Sequence, residues 1–575
     1  MKTKITLFII LFFSSLSLGA TNFVVTSNAD AGVGTLRQAI TDANADVATP
    51  HTITFSGVSS ITLAAVLPTI TINGVTIDGG AGVTITGSSA TANMFLNSAG
   101  VTTTFKYITF NGAIVSTSGT GNFDNCTFTG AGAAALKVSN VVNCNNCLFY
   151  GNTNSGSGGT AINGLSSAND VTLNNCVIRD NGNASSSANG GPAIKVGGGN
   201  AASKLTMTNC LVYNNVNKST GSIYGGGISS AGVTTINNCA IYNNEANRGG
   251  GIALQVGTTT YKSKLTMTGC TVSGNTLGSY MSSAFGGGIF IQGGSGLLTD
   301  NSSITNCTIS GNSTPAIGTP VTTSAGGGIQ IGGGGSSTWT PVITISNSTI
   351  YGNNVQGNPA SAISGGGIDR INGNIVINYS IVIGNNSNST ASGRNITNSV
   401  SWLTSTTGRN MYEGGASWNS SEVTGNVILT ESPTTILNTT LADNGGTTAL
   451  PDGTYVKTHA LVSGGVAINP TAASLGLQTV DQRGTLRDGT PDMGAYEYVG
   501  TTTALSKNYD VNNVLVIKSK GIEMQISAKV EVFSVSGVLQ KSVIATDGLL
   551  IELPKGISLI RVTTDKGSNV IKLAN

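Results

Sequence analysis

Residues able to carry acid–base or nucleophilic chemistry are sparse in this 575-residue chain. Asp and Glu total 25, Lys and Arg total 27, and the two histidines are His51 and His459. Cleavage of a glycosidic bond needs two carboxyl groups about 5–10 Å apart. Asp180 and Glu245, with Arg179 and Arg248 as basic neighbours, are the pair that repeated coils could bring near each other, although they differ by two positions in the repeat described below. Asp369 and Arg370 lie further along, and Asp170, Asp300 and Lys195 stand alone. Solvated turn charges or local ion pairs explain the same residues without chemistry. Runs of Gly-Gly-Gly-Ile could suggest phosphate cradles, but they lack the Lys-Ser/Thr and the helix that such loops require. No convergent ligand set for a metal is visible, and no cofactor is expected. The small net charge of +2 and the lack of a basic patch argue against nucleic acid as a partner.

The elements that would have to hold these residues are strands. Gly numbers 80, while charged residues make up 9% and aromatic residues 5% of the chain. Such a mixture suits short strands joined by tight turns. A motif Asn-(Cys/Ser)-x-(Val/Ile/Phe)-x-x-Asn recurs with Cys147, Cys176, Cys210, Cys239, Cys307 and Ser348 at its second position, and copies without the leading Asn run from Cys270 to Asn275 and from Ser380 to Asn385. Between copies stands Gly-Gly-Gly-Ile, at 225–228, 249–252, 286–289, 326–329 and 365–368. The approach to each Cys alternates, as in Leu205-Thr-Met207, which is the period of a strand.

Fixed anchors at a variable period fit a solenoid whose insertions loop out at the turns. The fold expected is all-β: a right-handed parallel β-helix with an N-terminal capping helix and a small C-terminal β-sandwich. Coils about 4.8 Å apart stack like residues on like. An inward apolar ladder would run through Phe149, Ile178, Val212, Ile241, Val272, Ile309, Ile350 and Val382. A structural ladder of Asn152, Asn181, Asn215, Asn244, Asn275, Asn312, Asn353 and Asn385 would satisfy a turn's backbone groups. Cys126, Cys147, Cys176, Cys210, Cys239, Cys270 and Cys307 would form a ladder of free, buried thiols, because parallel side chains do not suit disulfide geometry. Cys144 falls off this register, leaving open a Cys144–Cys147 link or a free thiol. Tyr150, Tyr213, Tyr242 and Tyr351 recur three residues after the Cys/Ser and would face outward, as strand-face filler or as a stacking surface for sugars.

Three segments resemble known families. Asn28 to Asn44 contains Leu36-Arg-Gln-Ala-Ile40 and resembles the entry motif of large bacterial surface β-helix proteins. Its Leu36, Ala39, Ile40 and Ala43 share one helical face, with Thr35 as N-cap. Ala442–Gly446, His459–Leu461, Asp481–Gly484 and Asp492–Tyr498 resemble the ending of choice-of-anchor β-helix proteins. That resemblance implies that Asp481, Arg483 and Glu497 close the final coil. Val530–Gly537, Leu553–Ile557 and Leu559–Val562 resemble a type IX secretion sorting domain, although Ser558 stands where Tyr is usual. This implies passage across an outer membrane by the type IX machinery, followed by release or anchoring at the outer face.

The organisation expected is 1–20 signal peptide, 21–51 N-terminal cap, 52–400 β-helix repeats, 401–499 terminal coils and C-terminal cap, 500–506 linker and 507–575 sorting β-sandwich. Lys2, Lys4, the apolar run Ile5–Phe13 and the small residues Ser17, Gly19 and Ala20 carry the signal-peptide reading. No transmembrane span is expected in the mature chain. The expected function is non-enzymatic adhesion or glycan binding by a secreted surface protein, extracellular or attached to the outer face of the outer membrane. The alternative is a polysaccharide lyase or glycoside hydrolase acting on an acidic polysaccharide. A purely structural envelope component is a third possibility.

Overall fold

The computed structural model describes residues 21–499 and 515–574, except for 166–167, 188–190, 198–201, 220–223, 256–262, 280–281, 294–300, 316–322, 333–341, 357–364, 388–394, 397–409, 414–426, 470–477 and the single positions 155, 157, 372, 430, 489, 535 and the pairs 519–520, 555–556 and 565–566. The signal-peptide and linker segments, 1–20 and 500–506, and Asp300 therefore lie outside the described residues. The chain divides into two compact units, Met1–Glu497 and Tyr498–Asn575.

The first unit is a right-handed parallel β-helix. Each coil contributes two consecutive short strands to a 25-stranded sheet, one to a 10-stranded sheet and, from Gly182 onward, one to a 7-stranded sheet. In one coil these are Lys204–Thr208 and Leu211–Tyr213 in the first sheet, Val216–Ser219 in the third and Ile228–Ser230 in the second. The bend between the paired strands falls on an Asn with positive φ, for example Asn175, Asn209 and Asn238. Asn tolerates that left-handed conformation better than most residues.

The stacking also begins earlier and ends later than the repeat motif suggests. Thr21–Val25 pairs in parallel with His51–Phe55, so the expected cap segment supplies a strand of the first sheet. The helix α1, Leu36–Ala45, is N-capped by Thr35 and buries Leu36, Ala39, Ile40 and Ala43. At the other end Met411–Glu413 and Val427–Leu429 still add parallel strands.

Each strand pair places three inward side chains on its predecessor, such as Leu205, Met207 and Val212. Phe149, Ile178, Val212, Ile241, Val272, Ile309, Ile350 and Val382 lie in strict register and are fully buried. Phe128 and Phe149 stack ring on ring at 4.4 Å. Cys144 occupies the inward column of the preceding strand, between Phe123 and Leu173. It is a buried free thiol, like the other seven cysteines, so no Cys144–Cys147 link forms.

The corner asparagines carry the backbone of the turn. The Asn152 side-chain amide donates to Asn181 Oδ1 at 2.9 Å and to the Phe128 carbonyl at 3.0 Å, while its backbone N–H donates to the same Asn181 Oδ1. That unit repeats through Asn215, Asn244, Asn275, Asn312 and Asn353 to Asn385, which donates to Asn395. The thiols serve the second corner. The N–H of Cys176, Cys210, Cys239 and Cys270 each donates to the sulfur of the next coil. The series then passes to Ser348, Ser380 and Asn410 through their oxygens. Each sulfur in turn donates to a carbonyl two residues back, as Cys239 does to Asn237 at 3.1 Å.

The glycine runs stack as well. A Cβ on Gly226 would lie 2.4 Å from the Gly250 carbonyl oxygen, and one on Gly250 equally close to that of Gly287. They are contact points between coils and not anion cradles.

The second unit contains an antiparallel three-stranded sheet and an antiparallel four-stranded sheet. Their buried residues include Ile522, Met524, Val530, Val532 and Ile560.

Replacing Asn244 with Ala removes the acceptor of the buried Asn215 N–H, one of the two acceptors of the Asn215 amide and a donor to the Val212 carbonyl, and we expect a loss of about 2–4 kcal/mol in denaturant unfolding. Cys239→Ser keeps an acceptor and a donor at that corner and should cost under about 1 kcal/mol, whereas Cys239→Val should cost roughly 1–3 kcal/mol. Equal losses for Ser and Val would show that the sulfur's hydrogen bonds contribute nothing.

Candidate functional site

On the outer side of the first sheet, the second strand of each coil presents two side chains. One column runs Leu148, Val177, Leu211, Ala240, Thr271, Thr308 and Thr349, and the other runs Tyr150, Arg179, Tyr213, Tyr242, Ser273, Ser310 and Tyr351. The change from apolar residues to Thr along the first column marks a change in what covers it.

The cover is the chain itself. Residues 431–469, 478–488 and 490–497 turn back and lie as a strap along these coils. Leu450 and Val456 pack on Leu211 and Ala240, with Tyr213 and Tyr242 alongside. Further along, Thr271 donates to the Lys457 carbonyl at 2.6 Å and Thr308 to Gln482 Oε1 at 2.5 Å, while Thr349 accepts from the Ala495 N–H. Asn238 and Asn306, at the left-handed bends, donate their amides to the Thr448 and Val480 carbonyls at 3.3 and 2.8 Å.

The strap has little regular structure, so side chains satisfy its backbone. Asp481 accepts from the N–H groups of Arg483, Thr485 and Glu497 and pairs with the Arg483 guanidinium at 2.7 Å. That guanidinium lies 3.7 Å from the centre of the Tyr496 ring. Glu497 accepts from the Asp488 and Asp492 N–H groups and pairs with buried Arg487 at 3.1 Å. Asp481, Arg483 and Glu497 therefore knit the strap on the flank and do not close the final coil. The last coils, at Met411–Glu413 and Val427–Leu429, precede them.

His459 anchors the centre of the strap. It bonds Ser310 Oγ at 2.7 Å through Nε2 and the Asn438 carbonyl at 2.8 Å through Nδ1, and its ring meets Tyr351 edge-on at 4.8 Å. Burial pushes its pKa down to about 4. His51 belongs to the first coils, where it bonds the Asp46 carbonyl, so the two histidines do not meet.

Three of the four recurring tyrosines are engaged by this arrangement. Tyr213 and Tyr242 stack on each other at 4.8 Å, and burial raises both phenols, that of Tyr242 to about 12. Tyr351 faces His459. Tyr150 lies on an earlier coil, with the Arg179 guanidinium 4.9 Å above its ring.

At the coils of Cys147 and Cys176 the tip of the strap leaves a cleft of about 490 Å³. Asn146, Cys147, Leu148, Asn175 and Val177 line one side, and Ala449, Leu450 and Pro451 the other. Asn146 and Asn175 are exposed, and Arg179 pairs with Asp180 at 2.5 Å.

The structure does not assemble the four chemical candidates into one site. Asp180 sits at a left-handed turn just before the Asn corner. Glu245 lies just past that corner, two coils later, in the third sheet between Val216 and Thr276. Arg248 turns toward the outside of the second sheet, 4.9 Å over Tyr224 and 5.1 Å over Phe285, and donates to the Tyr224 hydroxyl at 2.8 Å. Asp170 pairs with Lys204 at 3.7 Å on the exposed face. Asp369 accepts from the Gly365 N–H, and Arg370 donates to the Gly373 carbonyl. Lys195 lies on the second sheet, paired in register with Ser229, and burial lowers its pKa. Among the described residues, no group of three or more His, Cys, Asp or Glu side chains could hold a metal ion.

A family described as right handed beta helix region matches residues 185–340. A search of curated proteins finds no match. Among solved structures, the chain is similar to the crystal structure of pectate lyase Pel9A, at 15% identity over 84% of this chain and 98% of that one, with a TM-score of 0.33. A likeness that slight carries no chemistry across.

The unfolded chain protonates His459 near its ordinary pKa of 6.5, and the folded chain only near 4. The stability tied to the neutral ring is complete above pH 6.5 and is lost as pH falls through that window, by up to about 3 kcal/mol. Thermal melting between pH 7 and pH 4 should therefore show a steeper fall for the native chain than for His459→Gln. Parallel curves would remove this role.

Proposed function

We propose that this protein is a non-catalytic glycan-binding β-helix displayed at the outer surface of the cell. The observation that carries the reading is the cleft between the strap tip and the coils of Cys147 and Cys176. It joins amides and aliphatic side chains, and Tyr150 stands two residues from Leu148 on the same strand, a combination with which proteins grip the polar rims and apolar faces of sugars. Asp180 and Glu245 stand on either side of the Asn corner and on coils two apart, which favours binding over bond cleavage. The rigid stack holds the cleft in place without ligand-induced ordering, and this lowers the entropic cost of binding.

The N-terminal segment and the second unit support delivery to the cell exterior. A charged n-region with an apolar run is suited to export. Two antiparallel sheets made from the 515–574 region are compatible with a type IX sorting module that releases the protein or anchors it at the outer face.

The full mature chain should bind a subset of glycans on an array, and Tyr150→Ala should weaken that binding roughly three- to tenfold. Lys137→Ala, on the second sheet, should leave it unchanged. Release of reducing ends or unsaturated products from a uronic-acid polysaccharide panel would overturn the non-catalytic reading. Removing residues 507–575 should trap the chain inside the outer membrane. Undiminished appearance at the surface would refute the sorting role.

A further inference from the structure

The coils of Leu211 and Ala240, which the strap covers, show what this face recognises, and the same aliphatic column continues into the open cleft at Val177 and Leu148. Where the strap lies, Asn238 and Asn306 each give a side-chain N–H to an amide carbonyl of the strap, at 3.3 and 2.8 Å. Beside Asn238, Leu450 and Val456 rest on Leu211 and Ala240, whereas the column next to Asn306 is Thr308, bonded to Gln482. The bound unit is thus an amide carbonyl with an aliphatic group next to it. Asn146 and Asn175 occupy the same bend position on earlier coils, with the same left-handed backbone (φ 53° and 52°). Leu148 and Val177 occupy the column of Leu211 and Ala240. All four line the cleft.

We infer that the cleft selects N-acetylated hexosamine units within a glycan. The acetamido carbonyl would accept from Asn146 or Asn175, as the strap carbonyls accept from Asn238 and Asn306. Its methyl group would lie against Leu148, Val177 and Leu450, and the ring would extend toward Tyr150. A polypeptide would satisfy the same donors. However, Leu450 and Pro451 bound the cleft on the side of the later coils, so an extended chain cannot run on along the strap's path. A compact ring bearing one amide suits a space of about 490 Å³. This inference rests on the glycan-binding reading and specifies its ligand class.

The test is calorimetric titration of the full mature chain with three tetrasaccharides: β-1,4-linked N-acetylglucosamine, its de-N-acetylated counterpart and β-1,4-linked glucose. The acetylated tetramer should bind at least about tenfold more tightly than the other two, the sum of one hydrogen bond and one buried methyl. Asn146→Gly and Asn175→Gly keep the left-handed backbone, since Gly stands at that bend in Gly269, and remove only the amide. Each should cost roughly three- to tenfold for the acetylated tetramer and narrow its preference over the glucose tetramer. Equal affinity for acetylated and non-acetylated sugars overturns the inference while leaving glycan binding intact. Binding of a synthetic 447–458 peptide in preference to every sugar also overturns it and identifies a polypeptide ligand. Failure of all three sugars and of the wider array removes both readings.

Discussion

A coil of parallel strands has corners, and at each corner the backbone N–H groups lose the partners that a straight ladder would supply. Buried amides left in that state would cost more than the stability of most domains allows. This chain meets the constraint twice per turn. The Asn column takes two N–H groups on each amide oxygen and returns two to carbonyl and amide oxygens. The Cys/Ser column accepts the preceding coil's N–H and donates to its own coil. Because each unit bonds the one above, stability propagates along the axis from neighbour to neighbour. The apolar ladders fill the interior, but the corner bonds fix the register in which those side chains meet.

The thiols illustrate how a chemically versatile group can be held in a structural role. Burial pushes the Cys144, Cys147, Cys176, Cys239 and Cys307 thiols up, whereas at Cys210 and Cys270 the hydrogen bonds of the column outweigh burial and lower the thiol. Ser348 and Ser380 take over the same bonds further along with oxygen in place of sulfur. What the position demands is therefore a small side chain that both accepts and donates, not sulfur chemistry.

The strap does for the flank what the columns do for the corners. It brings carbonyls to outward Thr hydroxyls and Asn amides and covers the aliphatic patch at Leu211 and Ala240. Where it stops, the same kinds of donor and the same aliphatic column are left facing a cleft. Function on this molecule is thus argued from a boundary between occupied and unoccupied stretches of one repeating surface. The scattered charged residues do not define it.

The coil was legible in the sequence because its causes are local or recur at each turn. Period-two alternation, Asn at the bend, Cys or Ser after it and Asn three residues past the inward residue each report on their own coil. Stacking then follows without further information. The helix over the first coil was equally readable from Leu36, Ala39, Ile40 and Ala43. The strap was not, because contacts such as Thr308 with Gln482 or Asn306 with Val480 join residues with no repeat relation to each other. The switch from Leu211 and Ala240 to Thr271, Thr308 and Thr349 was visible, yet it carries no sign of its partner. Sequence alone determined how the chain winds, since that depends on neighbours one coil away. Only the tertiary structure decided which part of the wound surface stays open, since that depends on where the strap comes to rest.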